Sequence, residues 1–143
     1  MAWEFESGLP IYLQAADMVQ KRVIKGDYPR GSRLPAVRDL AMEAGVNPNT
    51  MQRALLLLEE RGIVFSQRTA GRFVTEDAQL LEALKYQTAR KQVLSFVKRM
   101  DELGYGPEEL EVLFRRVIQE ESTAAQISSE NIMAGQEQAH GSL

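Results

Sequence analysis

Residues 45–55 read Gly45-Val46-Asn47-Pro48-Asn49-Thr50-Met51-Gln52-Arg53-Ala54-Leu55. Asparagine is a strong N-cap, and proline suits the first helical position because it has no N–H to satisfy, so a helix is predicted to start at Pro48. Met51, Ala54, Leu55 and Leu58 recur at helical spacing and give that helix an inward stripe, which leaves Asn49, Thr50, Gln52 and Arg53 on its outer side. Amides, a hydroxyl and a guanidinium at the opening of an exposed helix suit contact with base edges, and the stretch reads as a DNA recognition helix.

Working outward, Trp3 and Phe5 alternate as in a short packed arm, and Ser7-Gly8-Leu9 reads as a turn. A helix is predicted over 10–25, with Ile11, Tyr12, Ala15, Ala16, Met18, Val19 and Val23 on a broad apolar face and Gly26 as its stop. Residues 26–32 are dense in turn formers, Arg33-Leu34-Pro35 is short and extended, and 36–44 gives a second helix with Val37, Leu40, Ala41 and Ala44 inward. Gly45-Val46-Asn47 is then the tight connection of a helix-turn-helix, whose second helix enters the major groove by its N-terminal residues. That helix is expected to run to about Arg61 and to stop at Gly62. Beyond it, 63–67 and 72–75 are β-rich around Arg68-Thr69-Ala70-Gly71, a hairpin whose basic, glycine-bearing tip can approach a nucleic-acid backbone or minor groove. Helices followed by such a hairpin make a winged helix-turn-helix over 1–75. Arg38 lies outward near the start of the second helix, where the positive end of the helix dipole disfavours a cation unless an anion is close. A DNA phosphate is such an anion, and pairing with Asp39 or Glu43 is the local alternative.

Pro10-Ile11-Tyr12-x-Gln14, Gly31-x-Arg33-Leu34-Pro35-Ala36-Val37-Arg38-x-Leu40-Ala41, Val46-Asn47-x-Asn49-Thr50, Leu58-Glu59-x-x-Gly62 and Gly71-x-Phe73-Val74 together resemble the DNA-binding domain of the GntR family of bacterial transcription regulators over residues 10–75. The resemblance implies that Arg33, Arg38, the opening of the third helix and the Gly71 wing tip contact operator DNA. Many members carry arginine where this chain has Pro48 and Gln52, and the Asn-Pro-Asn-Thr version is similar to the YtrA-like branch. That branch implies a repressor of its own operon, often one encoding an ABC transporter.

By their chemistry, Asn47, Asn49 and Gln52 can pair with adenine, Arg53 with the O6/N7 edge of guanine, and Thr50 with phosphate or a thymine methyl. Capping competes with base reading at Asn47 and is the favoured role there. Arg33, Arg38 and Arg72 suit phosphate, which orients the protein without reading sequence, and Arg68 joins Gly71 at the wing tip.

The C-terminal part reads as a helical segment. One helix is expected from about 76 to 103, carrying Leu80, Leu81, Leu84, Val93, Phe96, Val97, Met100 and Leu103, with the polar interval 87–92 as a bend or a change of packing partner. Gly104-Tyr105-Gly106-Pro107 breaks it, and a second helix over 107–121 carries Leu110, Leu113, Phe114, Val117 and Ile118. Two helices cannot bury two such stripes alone, so 76–121 is assigned to homodimerisation, through Leu84, Val93, Phe96, Val97, Met100, Leu110, Leu113, Phe114 and Val117. Packing back onto the same chain's winged helix is the alternative. The polar segment 122–143 is expected to be a mobile tail. The fold class is thus mostly α, a winged helix-turn-helix of three helices plus a hairpin wing followed by a two-helix dimerisation segment.

Bulk properties set limits on this reading. The formal net charge is −3, but residues 1–75 hold ten Lys/Arg against eight acids and 76–143 hold seven against twelve. A locally positive face is what phosphate needs, and a separate acidic segment does not cancel it beyond a Debye length of about 8 Å. With no cysteine, thiolate metal sites and thiol catalysis are excluded, and His140 is the sole histidine, so neither a metal nor another cofactor is expected. No nucleophile–base pair or phosphate loop points to an enzyme. No apolar run suits a membrane span and the acidic N-terminus is unlike a signal peptide, so a cytoplasmic protein is expected. Its partners would be double-stranded operator DNA and a second copy of itself, with any small-molecule effector confined to a modest cleft at the dimer junction. The rival function is an interaction adaptor, a winged helix that has lost DNA binding.

Overall fold

The computed structural model describes residues 2–140 and divides into two compact units, Met1–Ala89 and Arg90–Leu143. Its elements in chain order are α1 (Ile11–Lys25), α2 (Val37–Ala44), α3 (Pro48–Glu60), β1 (Val64–Gln67), β2 (Gly71–Val74), α4 (Ala78–Glu102) and α5 (Pro107–His140).

The first unit is the winged helix. Ala15, Ala16, Val19 and Val23 of α1, Leu40, Ala41 and Ala44 of α2, and Met51, Ala54, Leu55 and Leu58 of α3 are buried together with Ile63, Val64 and Val74. These are the inward positions that the helical spacing selects, and burying each large apolar side chain contributes roughly 1.5–3 kcal/mol. Gly26 closes α1 and Gly45 closes α2 in the left-handed conformation, their N–H groups returning to Arg22 O and Val23 O and to Ala41 O and Met42 O. Strands β1 and β2 pair antiparallel from Val64↔Val74 to Gln67↔Gly71. The extended segment before α2 lies on the other edge of β2, with Leu34 N–H donating to Arg72 O and Val74 N–H to Ser32 O. Arg33 there forms an isolated antiparallel bridge with Phe73, beside a sheet of two strands.

Helix α4 starts at Ala78 rather than 76, because Asp77 Oδ1 accepts from Leu80 N–H and serves as its cap. Leu81 and Leu84 rest on the winged-helix core, which carries the first compact unit past residue 75 to Ala89. Leu84, grouped above with the association stripe, is thus a core-facing residue of this unit. The interval 87–92, expected as a bend or a change of packing partner, is passed as unbroken helix, and the division between the two units, after Ala89, falls within it.

In the second unit, the end of α4 is closed by Tyr105 N–H on Met100 O and by Gly104 with φ +90, and α5 opens at Pro107 with Glu108 and Glu109 in its first turn. Leu110 is buried and Phe96, Met100 and Leu113 are half-buried, while Val93, Leu94, Val97, Phe114, Val117 and Ile118 are exposed on this chain. Helix α5 runs to His140, not to 121. The segment expected as a tail holds Ala, Gln and Glu, which are good helix formers, and its low apolar content, with Ile127, Ile132 and Met133 exposed, leaves it without a core of its own but not without a helix. Thr123 and Ser129 hydroxyls donate to the Gln119 and Ala125 carbonyls along it. Residues 141–143 lie outside the described part.

Candidate nucleic-acid interface

Helix α3 presents its first turns outward. Asn47 has extended backbone (φ −64, ψ 139), and its Oδ1 accepts from Asn49 N–H at 2.8 Å, so it caps the helix and has one acceptor lone pair engaged. Asn49 and Arg53 are exposed, and Thr50 and Gln52 are partly so, over a fully buried underside of Met51, Ala54, Leu55 and Leu58. The Arg53 guanidinium does not project freely. Its Cζ lies 3.7 Å from the centroid of the Tyr12 ring on α1, a cation–π stack.

The arginines around this surface divide into two kinds. Arg38, on the first turn of α2, is exposed and joins no ion pair among the described residues, while Glu43, one of its two local alternatives, is taken by Arg22 Nη1 at 3.0 Å. Arg33 and the wing tip are brought together: a Cβ placed on Gly71 would stand 2.9 Å from Arg33 Nε. Gly71 has φ +107, a conformation that disfavours any side chain, so glycine here serves both the turn and the passage of Arg33 across it. Arg68 is exposed in the turn between the strands. Arg33, Arg38 and Arg68 are cations without a carboxylate partner among the described residues.

Arg72 is of the other kind. Its Nε donates to Glu59 Oε1 at 2.9 Å, with side chains only 17% and 24% exposed, and the Ser66 hydroxyl donates to the same oxygen. Burial pushes the Glu59 carboxyl up, but the hydrogen bonds from Ser66 and Arg72 and the charge of Arg72 outweigh it and hold the group below its ordinary value. Arg72, expected at phosphate, is therefore engaged inside the protein, where it ties β2 to the C-terminal end of α3. Arg61 makes a similar brace from the end of α3 to Asp17 and Gln20 of α1, at 3.1 and 2.8 Å.

Sequence reasoning passed over several positioning groups. Gln14 accepts from Glu6 N–H at 2.8 Å and donates to Glu6 O and Leu9 O, pinning the N-terminal arm to α1. Its place in Pro10-Ile11-Tyr12-x-Gln14, four residues after a helix-opening proline and polar beside a broad apolar face, was the available signal. Glu59 reads in sequence as one of a solvated acidic pair with Glu60, and only the hairpin's register shows what it meets.

Residues 11–74 match the family described as bacterial regulatory proteins, gntR family. The chain is 41% identical over 107 residues to the HTH-type transcriptional regulator YhcF of Bacillus subtilis, covering 75% of this chain and 88% of that one. It is 38% identical over 72 residues to the HTH-type transcriptional repressor YtrA of the same organism, covering 50% and 55%. A solved GntR family transcriptional regulator from Listeria monocytogenes superposes with a TM-score of 0.72 at 33% identity, over 78% of this chain and 98% of that one. These relatives are transcriptional regulators, and no enzyme family is indicated. Among the described residues no helix is long and apolar enough to cross a membrane. Taken with the winged helix and its unpaired arginines, these matches establish that the chain belongs to the GntR family of bacterial regulatory proteins, as a DNA-binding transcriptional regulator.

Proposed function

We propose that the protein is a homodimeric repressor of its own operon that binds an inverted-repeat operator. The reading is carried by one arrangement: the amide-rich opening of α3 is flanked by Arg38 on α2 and by Arg33 and Arg68 at the wing, cations that find no carboxylate among the described residues. Such groups gain most from phosphate, so they fix the register of the protein on a duplex while Asn49, Thr50 and Gln52 meet base edges and Gly71 lets the wing backbone approach closely. The same unpaired arginines weigh against an adaptor that has lost DNA binding. Repression is supported by a relative that carries that word in its name. Dimerisation is supported by the second unit, where Val93, Leu94, Val97, Phe114, Val117 and Ile118 form an apolar surface left in solvent on one chain, and a second copy would bring two recognition helices to two half-sites. An ABC transporter operon is the target suggested by likeness to the YtrA-like branch, and any effector would act at the dimer junction.

The test is a gel shift with the promoter region of the protein's own gene beside the same duplex with one half of its inverted repeat scrambled, together with a promoter reporter. The proposal requires a shift lost on scrambling and reporter output that rises when the protein is absent. An equal shift of both duplexes, or reporter output that falls, would count against it.

A further inference from the structure

The N-terminal arm reaches the helix-turn-helix at its turn. Trp3 N–H donates to Ala44 O at 3.1 Å, the carbonyl of the last residue of α2, and Ala2 lies so close to Gly45 that a Cβ there would stand 2.9 Å from the Ala2 Cβ. The Trp3 ring lies under the Arg22 guanidinium, with Cζ 4.5 Å from the ring centroid, and Arg22 Nη1 donates onward to Glu43 of α2 at 3.0 Å and to the Tyr28 hydroxyl at 3.1 Å. Gln14 holds the other end of the arm on α1. Trp3 Nε1 is buried and finds no hydrogen-bond partner among the described residues, so the ring serves by its shape and its π face. The Gly45 and Val46 N–H groups both donate to Ala41 O, which ties the turn to the end of α2. Gly45 stands only two residues before the Asn47 cap, so a displacement at Ala44–Gly45 reaches the start of α3 through the short covalent link Val46–Asn47.

We infer that residues 2–6 are a strap that positions the recognition helix, with Trp3 as its positioning residue. The inference rests on α3 being the element that meets DNA. Trp3 acts through the turn at Ala44–Gly45 rather than by contact with DNA. It fixes the angle between Arg38, which holds phosphate, and Asn49 and Gln52, which meet bases. Loss of the strap lowers operator affinity through geometry, with the number of phosphate contacts unchanged.

The experiment compares the full chain with Trp3→Ala and Trp3→Phe, each held well below its own melting temperature and shown folded by circular dichroism, with Glu43→Gln as a second route to loosening the strap. Operator binding is titrated at several salt concentrations, and amide exchange is followed over residues 44–51 without DNA. Trp3→Ala is expected to weaken specific binding about tenfold, equivalent to about 1.4 kcal/mol, with the salt slope kept. Exchange at Gly45, Val46 and Asn49 should quicken while the α1 core stays protected. Trp3→Phe should restore both readouts, since the indole N–H has no partner to lose, and Glu43→Gln should shift both in the direction of Trp3→Ala by a smaller amount. Unchanged exchange across the turn in Trp3→Ala, or undiminished affinity in a folded Trp3→Ala protein, or failure of Trp3→Phe to rescue, overturns the strap. A wild-type chain with no sequence-dependent shift overturns the DNA-contact reading of α3 instead, and the exchange arm then decides whether the strap holds the turn.

Discussion

Replacing Glu59 by Ala tests how the recognition helix and the wing are joined. The substitution removes the one carboxylate oxygen that accepts from both Arg72 Nε, at 2.9 Å, and the Ser66 hydroxyl. Hydrogen bonds to a charged group contribute roughly 1.5–3 kcal/mol each when buried. Here the side chains keep 24% and 17% of their exposure, so water replaces part of what is lost and about 2 kcal/mol for the whole change is expected. For a unit of this size that lowers the melting temperature by roughly 8–16 °C. The pH dependence gives a second, independent reading. The Glu59 carboxyl is held below its ordinary 4.5, so its contribution is complete above that value and is lost as pH falls through the lower folded value. Thermal and urea melts of wild type, Glu59→Ala, Arg72→Met and the double variant, at pH 7 and through the acid range, would measure both. The acid limb should flatten in Glu59→Ala, and the double variant should be less destabilised than the sum of the singles. A loss under about 0.5 kcal/mol with an unaltered acid limb, or strict additivity, would refute the pairing as the joint between α3 and the wing.

Other substitutions separate the remaining roles. Arg38→Ala should weaken binding to specific and nonspecific duplexes alike and reduce the salt slope of log K by about 0.9, the loss of one phosphate contact; an unchanged slope removes Arg38 from the interface. Gly71→Ala forces a side chain into φ +107 and against Arg33, so binding should weaken in a folded protein, with protection lost at the wing's edge of a hydroxyl-radical footprint and kept at the centre of the half-site. Phe114→Glu, placing a charge on a surface that is 54% exposed on one chain, should give a folded monomer by light scattering and abolish cooperative binding to the two half-sites; a persisting dimer moves the interface elsewhere.

Much of this was legible in the chain because local chemistry and long-range packing agree where it was. The cap at Asn47, the proline after it and the stripe Met51, Ala54, Leu55 and Leu58 each specify the same helix, and α3 begins where they place it. Gly26, Gly45 and Gly62 mark turns that only a positive φ closes. What escaped depends on partners far apart in sequence. Arg72 and Glu59 are 13 residues apart and Arg22 and Glu43 are 21 apart, and nothing near either arginine distinguishes an internal brace from a phosphate contact. The length of α5 escaped for a different reason: a low apolar content argues against a packed core, but Ala, Gln and Glu still favour helix.

The stack of Arg53 on Tyr12 bears on how base preference can change. An exposed cation–π contact is worth about 0.5–1 kcal/mol, which at the upper figure leaves the guanidinium unstacked about one time in six. On the proposed reading, any guanine contact by Arg53 would be diluted to that fraction, while the amides of Asn49 and Gln52 would carry no such handicap. The aromatic ring on α1 would then be a selectivity dial: replacing Tyr12 with an aliphatic residue is expected to release Arg53 and shift the favoured operator toward guanine, with every groove-facing side chain left as it was.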